Sequence, residues 1–234
     1  MQVKILATGS KGNCYIVSDG NTKVLVDPGI SYTKILKRSK FAVMDAEACL
    51  ISHEHGDHVK GIEMMSKAVP IVATAKTLET LGKYKLGLTK AVKPMVPEMF
   101  GTLRVTAFPV VHNAVDPVGY HIKSILTMES LVYVTDSQYL YYTFEGLKAL
   151  VIECNYDDET LSYNVENGLI NENLARNIRQ YHQSADNVIS FLKAHPCLEK
   201  VWLIHSSENN LNEDKTIERI KQVYNKKLFT KEDT

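Results

Sequence analysis

The feature that most constrains this chain is the hexapeptide His53-Glu54-His55-Gly56-Asp57-His58, which follows the apolar run Ala48–Ile51 and Ser52. Three of the chain's eight histidines and an aspartate fall within it. In extended or turn backbone, residues two apart face the same way, so His53 and His55 can share one ion. Asp57 and His58 lie past the Gly56 turn and can reach a second. Neutral imidazoles with a carboxylate suit zinc or manganese, and iron is a further option. A solvated loop rarely concentrates these residue types so tightly. Glu54 is expected to face solvent or a group behind the ligands.

Two ions need more ligands than this segment holds. Three candidates follow apolar, strand-like runs: His112 after Val105–Val111, Asp136 after Leu131–Thr135, and His205 after Val201–Ile204. At a strand end a rigid sheet holds the side chain and a loop gives access to it. A lone histidine or aspartate there is usually a cap or a surface group. Three of them downstream of a metal-type segment reverse that weighting. His121, inside a strand pattern, and His195, before Pro196, read as structural.

Apolar patterning predicts strands over Val3–Ala7, Cys14–Val17, Lys23–Val26, Ala48–Ile51, Pro70–Thr74, Leu103–Pro109, Val118–Ile125, Leu131–Val134, Ala149–Ile152 and Val201–Ile204. It predicts helices over Tyr32–Arg38, from the hexapeptide through Met64–Lys67, and over Thr77–Lys85, Asn171–Tyr181, Ala185–Ala194 and Glu213–Tyr224. Two strand-rich halves, each followed by helices, suggest an α+β domain of two packed mixed sheets with outer helices. With 234 residues and no linker-like stretch, residues 1–234 read as a single domain.

Charge is balanced, 27 basic residues against 27 acidic, so nothing draws the whole molecule to a polyanion. Nucleic-acid binding would rest on local patches such as Lys34–Lys40 or Lys83–Lys93, which read equally as solvated faces. Tyr139, Tyr141 and Tyr142, close behind Asp136, can stack bases or simply pack a rim. No run of about 18 apolar residues suggests a membrane span, and the first residues are too short an apolar run for a signal peptide. Cys14, Cys49, Cys154 and Cys197 form no Cys-x-x-Cys pair and read as free thiols of a cytoplasmic protein.

The order His53-x-His55-x-Asp57-His58, then His112, Asp136 and His205, resembles the metallo-β-lactamase superfamily over nearly the whole chain. Further segments resemble the YycJ/WalJ-type metallohydrolases. They are Ala7-Thr8-Gly9-Ser10-Lys11-Gly12-Asn13, Val26-Asp27-Pro28-Gly29, His112-Asn113-Ala114-x-Asp116-Pro117-Val118-Gly119-Tyr120, Glu153-Cys154-Asn155-Tyr156-Asp157 and His205-Ser206-Ser207-Glu208-Asn209-Asn210. The resemblance implies an αββα sandwich. It also implies two divalent metal ions, one held by His53, His55 and His112, the other by Asp57, His58 and His205, with Asp136 bridging. Asp57, His182 and Glu153 are the candidate catalytic residues, His182 as a general acid oriented by Glu153. The close family tends to have Gly-His-Leu-Ser-Asn where this chain has Tyr181-His182-Gln183-Ser184-Ala185.

The activity implied is two-metal hydrolysis of phosphodiester bonds, in DNA and as an exonuclease. Asp136 where a true β-lactamase has cysteine argues against that activity. A glyoxalase II-like thioesterase, or another small-molecule metallohydrolase of this fold, uses nearly the same ligands and is the alternative. A flavodiiron-type redox protein would want glutamate at the position of His55. A degenerate, non-catalytic module would not keep the full ligand set.

Overall fold

The computed structural model describes residues 1–230, which divide into two compact units. The first comprises Met1–Pro109 and Ala114–Leu131. The second comprises Val110–Asn113 and the residues from Val132 onward.

In chain order the first unit holds β1 (Gln2–Ala7), β2 (Cys14–Ser18), β3 (Lys23–Val26), α1 (Tyr32–Ser39), β4 (Ala48–Leu50), α2 (Gly56–Val59), α3 (Ile62–Met65), β5 (Ile71–Thr74), α4 (Ala75–Leu81), β6 (Thr89–Val92), β7 (Pro97–Phe100), β8 (Leu103–Pro109) and β9 (Val118–Ser124). Strands β1 to β6 form a six-stranded mixed sheet in sequence order. The β1–β2 and β2–β3 pairs are antiparallel, and the remaining three pairs are parallel. Antiparallel ladders join β7 to β8 and β8 to β9. A core around Leu25, Ile35, Cys49, Ile51, Ile62, Met65 and Ile71, all fully buried, lies beneath α1 and α3.

The second unit follows from β10 (Ser130–Val134), within which the division falls. It continues through β11 (Ala149–Glu153), α5 (Asp158–Glu166), α6 (Glu172–Tyr181), α7 (Ala185–Ala194), β12 (Lys200–Ile204), α8 (Glu213–Val223) and β13 (Lys227–Phe229). Its strand order is β13-β12-β11-β10, with β11–β12 and β12–β13 parallel. Helix starts here are set chemically. The side chains of Asp157, Asn171, Ser184 and Asn212 each accept from the backbone N–H three residues on.

Strand register brings distant loop residues together at two places. Val26 pairs with Leu50, so the residues just after β3 and β4 emerge side by side. Glu153 pairs with Ile204, which sets His205 beside the end of β11. Among the described residues no helix is long and apolar enough to cross a membrane.

Candidate metal centre

In the first unit the hexapeptide leaves β4 and turns into α2. Asp27 N–H donates to Leu50 O, and the Asp27 carboxylate accepts from the Ser52 backbone N–H and hydroxyl, both at 2.8 Å. The same carboxylate lies 2.9 Å from His58 Nδ1, and all three residues are buried. The Ser52 hydroxyl is also 3.0 Å from His53 Nδ1. Asp27 and Ser52 therefore hold His53 and His58 by their Nδ1 edges. His53 Nε2 and His55 Nδ1 converge to 3.0 Å, and His58 Nε2 lies 3.4 Å from Asp57 Oδ2. Asn13 Nδ2 is 3.3 Å from Asp57 Oδ2 and 3.1 Å from His58 Nε2.

Gly29 is required here by space. A Cβ on it would meet Asp57 O at 1.6 Å, so only glycine lets the Asp27-Pro28-Gly29 turn pass the backbone of α2. Gly61 does similar work between α2 and α3, where a Cβ would meet Ile30 O at 2.5 Å. The helical pattern expected through Lys67 is accordingly two single-turn pieces.

In the second unit Asp136, Glu153, His182 and His205 offer ligand-type atoms all within 4.8 Å of one another. The centre of this group is the buried Glu153 carboxylate. Its Oε1 lies 2.7 Å from His182 Nδ1 and 2.9 Å from His205 Nδ1. Its Oε2 accepts from the backbone N–H groups of Ser137 and Gln183. Asp136 Oδ1 is 3.4 Å from His182 Nδ1. His182 and His205 stack, with ring centroids 5.7 Å apart. His112 reaches this group from the Val110–Asn113 segment, with its Nδ1 3.3 Å from Tyr181 O and its ring 5.6 Å from that of His182.

Burial alone would lower the His182 pKa. The charge and hydrogen bond of Glu153, with the charge of Asp136, overcome this and raise it. Burial pushes Glu153 the other way, upward, and the charges and bonds of the histidines leave it below the usual carboxylate value. The two directions agree: each partner favours the charged form of the other.

Three of these residues have left-handed backbone: Asp27 at φ 52°, Asp136 at 45° and His205 at 51°. Each follows the end of a strand, where such a φ turns the chain sharply. This is strain of the kind that gathers at working sites.

The first unit thus gathers His53, His55, Asp57 and His58, and the second gathers His112, Asp136, Glu153, His182 and His205. His121 sits in β9, its pKa lowered by burial and by Arg104 and Lys123, and His195 stacks on Phe191 and bonds Phe191 O. Neither belongs to a group of ligand-type atoms among the described residues. Glu54 Oε1 accepts from Val115 N–H and so braces the loop behind the ligands. Asp27, Ser52 and Asn13, which hold these candidate ligands, are not marked as site residues by local sequence pattern. An aspartate directly after the buried β3 strand was the available signal for Asp27.

The donor set fits divalent cations. It is made of imidazole nitrogens and carboxylate oxygens, with His58 and His205 each held through Nδ1 by a buried carboxylate, the arrangement usual behind metal-ligating histidines.

A family profile described as a β-lactamase superfamily domain matches residues 22–206. Over 172 residues the chain is 31% identical to exodeoxyribonuclease WalJ of Streptococcus pneumoniae, covering 67% of this chain and 63% of that protein. Over 175 residues it is 28% identical to exodeoxyribonuclease YycJ of Bacillus anthracis, covering 69% and 65%. The chain therefore spans a little under two thirds of the length of these relatives. Among solved structures, the metallo-β-lactamase fold protein YhfI of Bacillus subtilis superposes with a TM-score of 0.76 at 19% identity, covering 97% of this chain and 95% of that one. The short form of human tRNase Z gives 0.64 at 14%, covering 98% and 96%. These likenesses show the fold expected from the sequence.

Proposed function

Because the chain belongs to the β-lactamase superfamily domain family of the metallo-β-lactamase fold, we propose that it is a metal-dependent phosphodiesterase acting on nucleic acid. The finer reading is a DNA exonuclease, the activity for which its YycJ and WalJ relatives are named. On this reading residues 1–234 act as one hydrolase domain, with its free cysteines in a reducing cytoplasm.

His53, His55 and His112 would hold one divalent ion, Asp57, His58 and His205 the other, with Asp136 shared. Zinc and manganese suit these donors, and iron is a further option. Bound there, the ions supply Lewis-acid chemistry, acidifying water and neutralising charge that builds on a phosphate. The protein does the rest. Asp27 and Glu153 orient His58 and His205 through Nδ1, which would leave Nε2 to hold an ion. Asp57 is held against Asn13. Held at Nδ1 by Glu153, a protonated His182 would present its Nε2–H to the leaving oxygen.

One observation carries the choice of substrate class: His182, with its Nδ1 2.7 Å from the buried Glu153 carboxylate, has the pairing of a general acid. A phosphodiester releases an alkoxide, which needs a proton as it departs. A thioester releases a thiolate, stable at a thiol pKa of about 8.5, and gains far less from such an acid. That separates the phosphodiesterase from the glyoxalase II-like alternative, whose ligand set is nearly the same.

The test is metal analysis of protein purified without chelator, then incubation with 5′-labelled single- and double-stranded DNA and, in parallel, a glutathione thioester. Two ions per chain and shortening of DNA are expected. Thioester turnover with intact DNA would overturn the reading.

A further inference from the structure

The loop after Asp136 carries Tyr139, Tyr141, Tyr142 and Phe144 within nine residues of that aspartate, and neither the metal ligands nor the acid–base pair uses any of them. Tyr141 is 62% exposed. An exposed tyrosine normally samples several rotamers, yet this one is held at two points. Its ring sits edge-on to Tyr139, with centroids 5.1 Å apart at 64°, and its hydroxyl donates to Gln138 Oε1 at 3.2 Å. The Ser137 hydroxyl donates to Tyr139 O and tightens the turn beneath the pair.

The loop is also fastened to the chemistry. Ser137 N–H donates to Glu153 Oε2, on the carboxylate that holds His182. Gln138 N–H donates to Val111 O, the residue before His112, and Gln138 O accepts from Asn187 Nδ2 on α7. Tyr141 is five residues from Asp136, so their Cα atoms lie at most about 18 Å apart, within the span of a few nucleotides. A rigid aromatic face at a fixed offset from a phosphodiester-cleaving group suits an unpaired base. Every base has a π-face, and stacking on a pre-ordered ring costs little side-chain entropy. Inside a duplex the bases stack on one another, and only a terminal or frayed base offers such a face.

We propose that Tyr141, backed by Tyr139, is a stacking platform for an unpaired base of single-stranded nucleic acid within a few nucleotides of the bond being cut. This rests on the phosphodiesterase reading for its substrate class, and it makes single strands the form engaged at the site.

The test is binding of the metal-loaded full chain to a fluorescent phosphorothioate oligothymidylate, which resists cutting, and to a duplex of the same length. The single strand should bind more tightly than the duplex. Tyr141→Ala should weaken single-strand binding about 5- to 150-fold, the range for loss of one base stack. Tyr141→Leu should be as weak as the alanine variant, and Tyr141→Trp should bind at least as well as wild type. Absence of single-strand binding, equal binding by Tyr141→Ala, or retention by Tyr141→Leu would overturn the platform. Single-strand binding that depends on Tyr141, together with no cutting of unmodified DNA, would uphold the platform and sink the phosphodiesterase reading instead.

Discussion

His182 and Asp27 make the clearest demands at the scale of single residues. If His182 protonates the leaving oxygen, His182→Ala should slow DNA cleavage by about 10²–10⁴-fold while both ions stay bound. A nitrophenyl phosphodiester, whose leaving group needs little protonation, should lose much less. Equal losses on the two substrates, or loss of metal, would place His182 in binding or in the metal shell. Asp27 acts at one remove, through the Nδ1 edge of His58 and the Ser52 hydroxyl. Asp27→Ala should weaken metal binding about 10–100-fold, read by titration against a fluorescent chelator, and unchanged affinity would make it purely structural. The difference in legibility between these residues is physical. The hexapeptide's candidate ligands fall within six residues, so their residue types alone mark them. Asp27 meets Ser52 and His58 only because β3 and β4 lie parallel with Val26 opposite Leu50, a pairing that no local pattern encodes. Gln183 stands where the resembling family has leucine. It is buried, and its side-chain amide has no hydrogen-bond partner among the described residues. The sequence difference was visible, but what it does to the packing was not.

Most elements read from apolar runs sit within a residue or two of their expected places because burial and periodicity agree in them, whereas the helix expected over Thr77–Lys85 is displaced to Ala75–Leu81. Those missed lack that agreement. Strand β6 is Thr-Lys-Ala-Val with only Val92 buried, an edge strand that shows no inward face. Strand β13 has three residues, none of them fully buried. Helix α5 buries just Leu161 and Asn164, too few to make a stripe. What specifies α5 is its start. Asp157 Oδ1 accepts from Thr160 N–H, and its Oδ2 accepts from the N–H of Asn212, the residue that caps α8. One carboxylate thus serves two helix entrances, and Asp157→Ala should cost about 1–3 kcal/mol in denaturant unfolding. At the β2–β3 turn, Asp19 accepts from the N–H groups of Asn21 and Thr22 and from the hydroxyls of Thr102 and Ser124. Its burial, slight here, would raise its pKa. These bonds outweigh it and bring the pKa to about 2. A carboxylate depressed in the folded state stabilises above its unfolded pKa of about 3.9, and that stability is lost as pH falls through about 2. Asp19→Asn should therefore flatten the stability loss between those pH values, measured by urea unfolding across the range.

For the whole molecule, ions that bind only the folded chain add to its stability by mass action, about 2.7 kcal/mol at a hundredfold excess over Kd. In a chain of this length that corresponds to roughly 5–11 °C in Tm. Chelation should lower the thermal midpoint by that order, and zinc or manganese should restore it. A midpoint indifferent to chelator would argue against a bound pair. The left-handed turns at Asp27, Asp136 and His205 bear on how this molecule can drift over generations. Residues with branched or bulky side chains are rejected at such φ values, whereas glycine, asparagine, aspartate and histidine are tolerated. Asparagine, aspartate and histidine each carry an oxygen or nitrogen able to meet a cation. At Asp136 and His205 most substitutions that the backbone accepts are therefore themselves potential ligands, so change there would retune the preferred metal more readily than abolish the capacity to bind one.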